Sequence, residues 1–346
     1  MARRHRVPDV STLEVWNLPV LGHELWQLLG TPRVDADRRA GVPEPELARR
    51  LMPALVEALQ LLVPRHVVEA VWLSGGLACI EGFGRLLAEA SATLPCPVYV
   101  AEDPRFAPVR SGLRLLARSM ERRLNEPPPS ASHVERTTGK AGLNEPPPSA
   151  SPVERTPGHA GLNEPALRTA PAARIAGHTG VNKPPAPASP VAIDVGQTSI
   201  KCASPSALRV FERDTTTLPL RLIGTPRPAD GHHIPAAVRF IAGALRTFVE
   251  QDVTVPPDAL CLALPCPLDN ALVPGGCTYG WEGHTRLVAD LLDAAKLPGP
   301  GGTVLVLNDA ELAAEAARED ARLADSGRVL CLTLGFGPGG ALLERG

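Results

Sequence analysis

Three near-copies of a 19-residue unit divide the chain. They read LNEPPPSASHVERTTGKAG from Leu124, LNEPPPSASPVERTPGHAG from Leu143 and LNEPALRTAPAARIAGHTG from Leu162, and a truncated copy, VNKPPAPASP, starts at Val181. A fixed period is the signature of a solenoid. Here no unit carries an apolar run able to bury a face, and prolines interrupt every strand or helix candidate. The stretch from Leu124 to Pro190 therefore reads as a disordered, partly polyproline-II linker made by tandem duplication. The competing reading is a proline-rich docking site. His133, His159 and His178 recur with or near the repeat and read as solvated linker residues, not metal ligands. Any fold must be assembled from the piece before this linker and the piece after it.

The chain has 346 residues, 44% of them hydrophobic, enough for at least one core and more plausibly two lobes. A net charge of −2, with no basic stripe carrying interleaved aromatics, argues against nucleic acid. Arginine far outnumbers lysine, but with abundant Ala, Pro and Gly this reflects a GC-rich coding bias, not phosphate recognition. The seven cysteines (Cys79, Cys96, Cys202, Cys261, Cys266, Cys277 and Cys331) form no C-x-x-C and sit largely in apolar runs. Such a set reads as reduced, buried thiols. No apolar segment follows the basic start, and no stretch is long enough to span a bilayer. A soluble, cytoplasmic protein is expected, with no membrane partner.

Before the linker, strand and helix patterns alternate. Residues 12–20 (TLEVWNLPV) read as a strand, Glu44 to about Leu62 as a helix, Val67–Leu73 as a buried strand, Ile80–Ala90 as a helix, Pro97–Val100 as a strand and Phe106–Met120 as a helix. After it come strands at Val191–Val195, Leu208–Arg213, Leu260–Leu264, Thr303–Leu307 and Arg328–Leu334. Helices are expected at Ile234–Glu250, Leu287–Leu297 and Ala310–Ala324, and a return strand at Ala341–Glu344. The alternation predicts an α/β fold.

Four segments carry candidate chemistry. In Val191–Lys201 an apolar strand meets Asp194 and turns through Gly196, Gln197, Thr198 and Ser199 before resuming at Ile200-Lys201. Gly196 lets backbone N–H groups approach an anion, Thr198 and Ser199 add hydroxyl donors, and Asp194 can hold a divalent cation through water. No G-x-x-x-x-G-K-[ST] is present, so this is not a P-loop. In Thr303–Glu315 a strand ends at Asn308-Asp309, placing Asp309 on a carboxyl edge where α/β proteins put ligands. Read alone, it caps the following helix. In Thr333–Gly340 the glycines Gly335, Gly337 and Gly339 form a turn that can lie against phosphate or be only a turn. In Leu73–Ala78, Gly75 and Gly76 let backbone pass flat against an adenine, and a close strand–helix turn explains them equally well.

Together these segments resemble a known family. D-x-G-x-T-x-x-K from Asp194 to Lys201 looks like the first phosphate motif of the actin-like ATPase superfamily. The segment from Leu260 to Glu315, with its strand ending near P-x-P, its Gly280-Trp281-Glu282-Gly283 loop and its N-D-A-x-x-A-A strand end, resembles the ROK family of sugar kinases and related repressors. Thr333–Gly340 is similar to the family's second phosphate motif, Ser74–Ala78 to its adenosine motif and Phe106–Ala117 to its closing helix. The order differs: the part expected last comes first, which looks like a circular permutation. A flexible linker of about 67 residues reaches some 40–50 Å, ample to join the ends of one lobe.

The resemblance implies a two-lobe ribonuclease H-like, actin-like ATPase fold. Residues 1–104 would form the adenosine-side lobe, completed by the hairpin 328–346. Residues 105–120 would be a helix returning to the first lobe, 121–190 the linker, and 191–325 the first lobe. It implies ATP and Mg²⁺, with Asp309 as the base that accepts a sugar hydroxyl proton, and Asn308 and His23 on the sugar. Asp194 would hold Mg²⁺ through water. Gly196, Gln197, Thr198, Lys201, Thr333, Gly335, Gly337 and Gly339 would bind phosphates, and Gly75 and Gly76 the adenosine. The partner would be a small-molecule sugar, with a homodimer left open. The family's C-x-C-G-x-x-G-C zinc cluster is absent, and Val20 stands where an E-x-G-H motif ending at His23 needs a carboxylate. The alternative is therefore a non-catalytic nucleotide- or sugar-binding protein. No helix-turn-helix precedes the core, which argues against the repressor branch.

Overall fold

In the computed structural model, the described residues are 2–125, 189–221, 232–299 and 302–345. Of the stretch expected to be a linker, residues 126–188 lie outside them, while its first two residues, Leu124 and Asn125, end a helix and its last, Pro190, opens a strand. In chain order the elements are β1 (Ala2–Arg4), β2 (Val10–Leu13), β3 (Pro19–Val20), β4 (His23–Glu24), α1 (Leu25–Leu29), α2 (Thr31–Arg39), α3 (Glu44–His66), β5 (Ala70–Ser74), α4 (Phe83–Ser91), β6 (Val98–Val100) and α5 (Ala107–Asn125). Beyond the repeats come β7 (Pro190–Val195), β8 (Ser199–Ala203), β9 (Leu208–Glu212), α6 (His233–Asp252), β10 (Ala259–Leu264), α7 (Leu287–Ala295), β11 (Thr303–Asn308), α8 (Asp309–Arg318), β12 (Arg328–Thr333) and β13 (Gly339–Glu344).

The strands form two mixed sheets and a two-stranded ribbon, so the fold is mixed α/β. The larger sheet has the order β1-β11-β10-β7-β8-β9. In it β7 pairs parallel with β10, β10 with β11 and β11 with β1, while β7-β8-β9 is an antiparallel meander. The smaller sheet has the order β2-β13-β12-β5-β6. There β12 pairs parallel with β5 and β5 with β6, while β12-β13-β2 is antiparallel. Each sheet thus has a central strand, β7 or β12, with a meander on one side and parallel strands on the other. In the larger sheet consecutive chain supplies every strand of this pattern but the edge strand β1. The smaller one joins the first hundred residues to the last twenty or so.

The continuous apolar runs of β7, β10, β11 and β12 are those of strands covered on both faces. Helices α6 and α7 cover one face of the larger sheet, and α3 and α4 one face of the smaller. Between the sheets lie α5 and α8. Leu115 and Leu116 of α5 and Leu312 of α8 pack on Ala192, Cys261 and Leu305 of the larger sheet. Ala310, Ala313, Ala314 and Ala317 of α8 pack on Trp72, Val329 and Cys331 of the smaller. The small residues allow a close approach: a Cβ on Gly112 would stand 3.0 Å from both Ala192 Cβ and Cys261 Sγ.

Several elements differ from the sequence expectations. The strand expected over residues 12–20 is two short pieces, β2 and β3, separated by a turn at Trp16-Asn17. Helix α3 continues past Leu62 to His66 and runs through Pro53, which is exposed. An interior proline costs about 3 kcal/mol. Fully burying leucines such as Leu47, Leu51, Leu55, Leu59 and Leu62 contributes about 1.5–3 kcal/mol each and outweighs it. The helix expected over Ala310–Ala324 stops at Arg318. A 3₁₀ turn follows, capped by Asp320, whose carboxylate also accepts the Trp72 indole N–H at 3.1 Å. No described helix is long and apolar enough to cross a membrane.

Candidate functional site

Four parallel strands deliver their carboxyl ends to one cavity of about 210 Å³. From the larger sheet, β7 brings Asp194 and β11 leads into Asp309. From the smaller, β5 leads into Gly75 and Gly76, and β12 ends in Thr333 before the turn of Gly335 and Gly337. The turn after β7 adds Gly196, Gln197 and Thr198, and β8 adds Lys201. These residues are far apart in sequence and meet because parallel strands share a carboxyl edge.

The two loops of the smaller sheet are locked together. Leu334 N donates to Ser74 O at 2.7 Å and Leu77 N to Leu334 O at 3.1 Å. Gly75 has φ +98°, and a Cβ there would stand 2.3 Å from Leu334 O, so a side chain is excluded. Gly76 and Gly335 instead face open space. Helix α2 abuts the second turn, its Thr31 N donating to Gly335 O at 3.0 Å.

Asp194 and Lys201 are register partners across β7 and β8, and Lys201 Nζ lies 2.9 Å from Asp194 Oδ2. Asp309 is the first residue of α8. Burial first, and then the charge of Asp194, push its carboxyl up to about 7, against the opposing pull of Lys201 and of the Ala310 N–H. Such a carboxyl accepts a proton near neutral pH, as a general base must. The backbone of the Gly196 turn faces the other way from its carbonyls, which are all bonded: Gly196 O to Tyr279 Oη at 2.9 Å, Gln197 O to Arg213 Nη1 at 2.9 Å and Thr198 O to Arg213 N at 2.8 Å. The opposite N–H groups, those of Gln197 and Thr198, donate to no acceptor among the described residues.

Three expected site residues are placed differently. Asn308, expected to orient a sugar, is buried and saturated: its Oδ1 accepts Ala310 N at 2.9 Å, and its Nδ2 donates to Cys266 O at 2.9 Å and Leu264 O at 3.4 Å. It is the N-cap of α8 and closes a capping box with Glu311, which Arg4 of β1 anchors at 2.7 Å. The cap is therefore Asn308, and Asp309 is left free to face the cavity. His23 lies exposed in the β3-β4 ribbon and does not line the cavity. Gly339 sits in the β12-β13 ladder, where a Cβ would stand 2.6 Å from Thr333 Oγ1; it lets the hairpin close instead of facing a ligand.

Ser199 of the first motif also lines the cavity, and other walls are ones that the motifs did not point to: Asp35 and Arg38 on α2, Arg105 before α5, and Glu212. With Lys201 these make a mixed-sign lining. No three His, Cys, Asp or Glu residues converge to hold a metal ion among the described residues. A magnesium ion that keeps several waters and binds substrate phosphates needs only one or two carboxylates, and Asp194 offers one. The free N–H groups and open glycine backbone suit an anionic phosphate chain. The residues fit Mg²⁺ and a nucleotide.

The geometry defines a class, an α/β protein with a cavity at the carboxyl edges of two similar sheets. No protein-family model matches the chain, and a search of curated proteins finds no match.

Proposed function

We propose that this protein is an ATP-dependent phosphotransferase of the ROK type, an actin-like ATPase fold in circularly permuted order, acting on a sugar hydroxyl. The observation that carries this reading is the meeting of Asp194, Asp309, Gly75 and Gly335 on one cavity. The repeated sheet pattern supports the fold. So does the chain crossing: Leu343 of β13 pairs with Val10 of β2, and Glu344 N donates to Asp9 O at 2.8 Å. A chain running directly from β13 into β2 would reproduce the β7-β8-β9 meander.

In this reading the Gln197 and Thr198 N–H groups, the Thr198 hydroxyl and the Gly335–Gly337 turn hold phosphate oxygens, and Gly75-Gly76 pack against the adenosine. Asp194 would hold Mg²⁺ through water, with Lys201 leaving Asp194 for a phosphate. The ion, when bound, neutralises charge developing on the transferred group. Asp309 accepts the hydroxyl proton as the acceptor oxygen attacks. Its carboxyl, held near 7, is ionised for part of the enzyme at neutral pH and returns the proton readily. The rest is positioning and exclusion of water.

A specific observation favours a second reading, a nucleotide-binding protein without sugar turnover. Asn308 is committed to the helix cap, and neither it nor His23, the two residues expected on the sugar, lines the cavity. The test is ADP release from Mg·ATP across a broad panel of sugars. The kinase reading expects turnover with at least one sugar, falling about a hundredfold or more in Asp309→Asn. ATP binding without sugar-dependent turnover supports the second reading.

A further inference from the structure

Arg213 is 6% exposed, yet no carboxylate among the described residues pairs with it. A guanidinium has five N–H donors, and all five go to neutral oxygens. Nε donates to Leu218 O at 2.9 Å, Nη1 to Gln197 O and Thr278 Oγ1 at 2.9 Å each, and Nη2 to Pro219 O at 2.7 Å and Thr278 O at 3.2 Å. Its carbon lies 4.0 Å from the centroid of the Tyr279 ring, which stacks on Trp281 at 4.5 Å. A buried cation without a counter-ion is costly. Carbonyl dipoles and a ring face offset that cost only in part.

The same side chain sets the turn beside the cavity. A trans peptide is planar, with its C=O and N–H pointing in opposite directions. Holding Gly196 O outward on Tyr279 Oη therefore aims the Gln197 N–H inward. Holding Gln197 O on Arg213 does the same for the Thr198 N–H. The Gln197 side chain closes the clasp, its Oε1 accepting Thr278 N at 3.0 Å and Thr278 Oγ1 at 2.5 Å and its Nε2 donating to Pro265 O at 3.2 Å. Arg213 Nη1, the Thr278 hydroxyl and the Gln197 carboxamide thus form one chain of hydrogen bonds. A cationic donor on Gln197 O also polarises the peptide and strengthens Thr198 N–H as a donor.

We propose that Arg213, seated on Tyr279, is the positioning residue of the phosphate site. It fixes the Thr198 N–H toward the cavity, as the Tyr279 hydroxyl beneath it fixes that of Gln197, and supplies, one peptide away, positive charge that a bound polyphosphate neutralises. Arg213 itself touches no ligand. The proposal rests on the nucleotide reading of the cavity and deepens it, since it makes the phosphate chain, not the nucleoside, the part that Arg213 serves.

The test is calorimetric titration of the full chain, the parent and the variants Tyr279→Phe and Arg213→Met, with Mg·ATP, inorganic pyrophosphate and adenosine. Tyr279→Phe removes one hydrogen bond from the turn and is expected to weaken ATP and pyrophosphate about fivefold. Arg213→Met is expected to weaken both at least about tenfold. Adenosine affinity should be unchanged in each, which a merely structural loss would not produce. If Arg213→Met does not fold, Tyr279→Phe decides alone. Unchanged phosphate affinity in folded variants, with the parent binding ATP, overturns this proposal and leaves the nucleotide reading standing. A parent that binds neither ATP nor pyrophosphate overturns both.

Discussion

Asp194 and Asp309 stand at the carboxyl ends of β7 and β11, one strand apart across β10, and face the same cavity. Asp194 is ion-paired with Lys201, and its charge helps burial push the Asp309 carboxyl up to about 7.

That shift has a sign that can be checked by melting. Asp309 binds its proton more tightly in the folded chain than in the unfolded one. The stability it contributes is therefore full below its ordinary value of 3.8 and is lost as pH rises through about 7. Asparagine is neutral at every pH. Asp309→Asn should thus melt with the parent near pH 4 and above it at pH 8, by on the order of 2–4 °C per kcal/mol gained. Asp194→Asn should narrow the same gap, because it removes one cause of the shift. Equal melting of Asp309→Asn and parent at both pH values would mean that the carboxyl is not perturbed.

Asn308 and Asp309 should separate cleanly. Asn308→Ala removes the α8 cap and strands two buried carbonyls, and is expected to cost about 2–3 kcal/mol of stability. Asp309→Ala should cost little stability and remove turnover. Denaturant unfolding beside an ADP-release assay checks the pair; the reverse pattern would exchange their roles.

Gly75 and Gly76 are adjacent but differ in what surrounds them. Gly75→Ala places a Cβ against Leu334 O at positive φ and should destabilise by about 1–3 kcal/mol. Gly76→Ala points into open space and should fold normally while weakening nucleotide binding. Thermal melts with and without Mg·ATP distinguish them. A Gly75→Ala protein as stable as the parent would contradict the contact between the two loops.

The smaller sheet needs both ends of the chain, since β12 and β13 lie between β2 and β5. Residues 1–120 and 191–346, expressed apart, should each lack a cooperative unfolding transition and regain a single one when mixed. Two independent transitions would argue against the shared sheet.

What the sequence displays and what it hides follow from where the partners lie. Strands such as Ala259–Leu264 and Thr303–Asn308 were legible because burial on both faces demands unbroken apolar runs. Helix α2, TPRVDADRR, buries only Val34, and so leaves no apolar stripe to read although it walls the cavity. The motifs pointed to Asp194, Gly75 and Gly335. They put both Asn308 and Asp309 at the site and offered Asp309 as the alternative cap, whereas the cap is Asn308, because adjacent residues at a helix start differ only in direction. The Arg213 clasp had no local signal: its acceptors on Gln197 and Thr278 are distant in sequence and mostly backbone.

The central claim is that this cavity binds a magnesium nucleotide through its phosphates. The direct measurement is the melting temperature of the full chain with rising Mg·ATP, beside Asp194→Ala. A saturable rise is expected in the parent, worth about 2.7 kcal/mol at a hundred times Kd, with most of it lost in Asp194→Ala. Superimposable parent curves with and without millimolar Mg·ATP would contradict it.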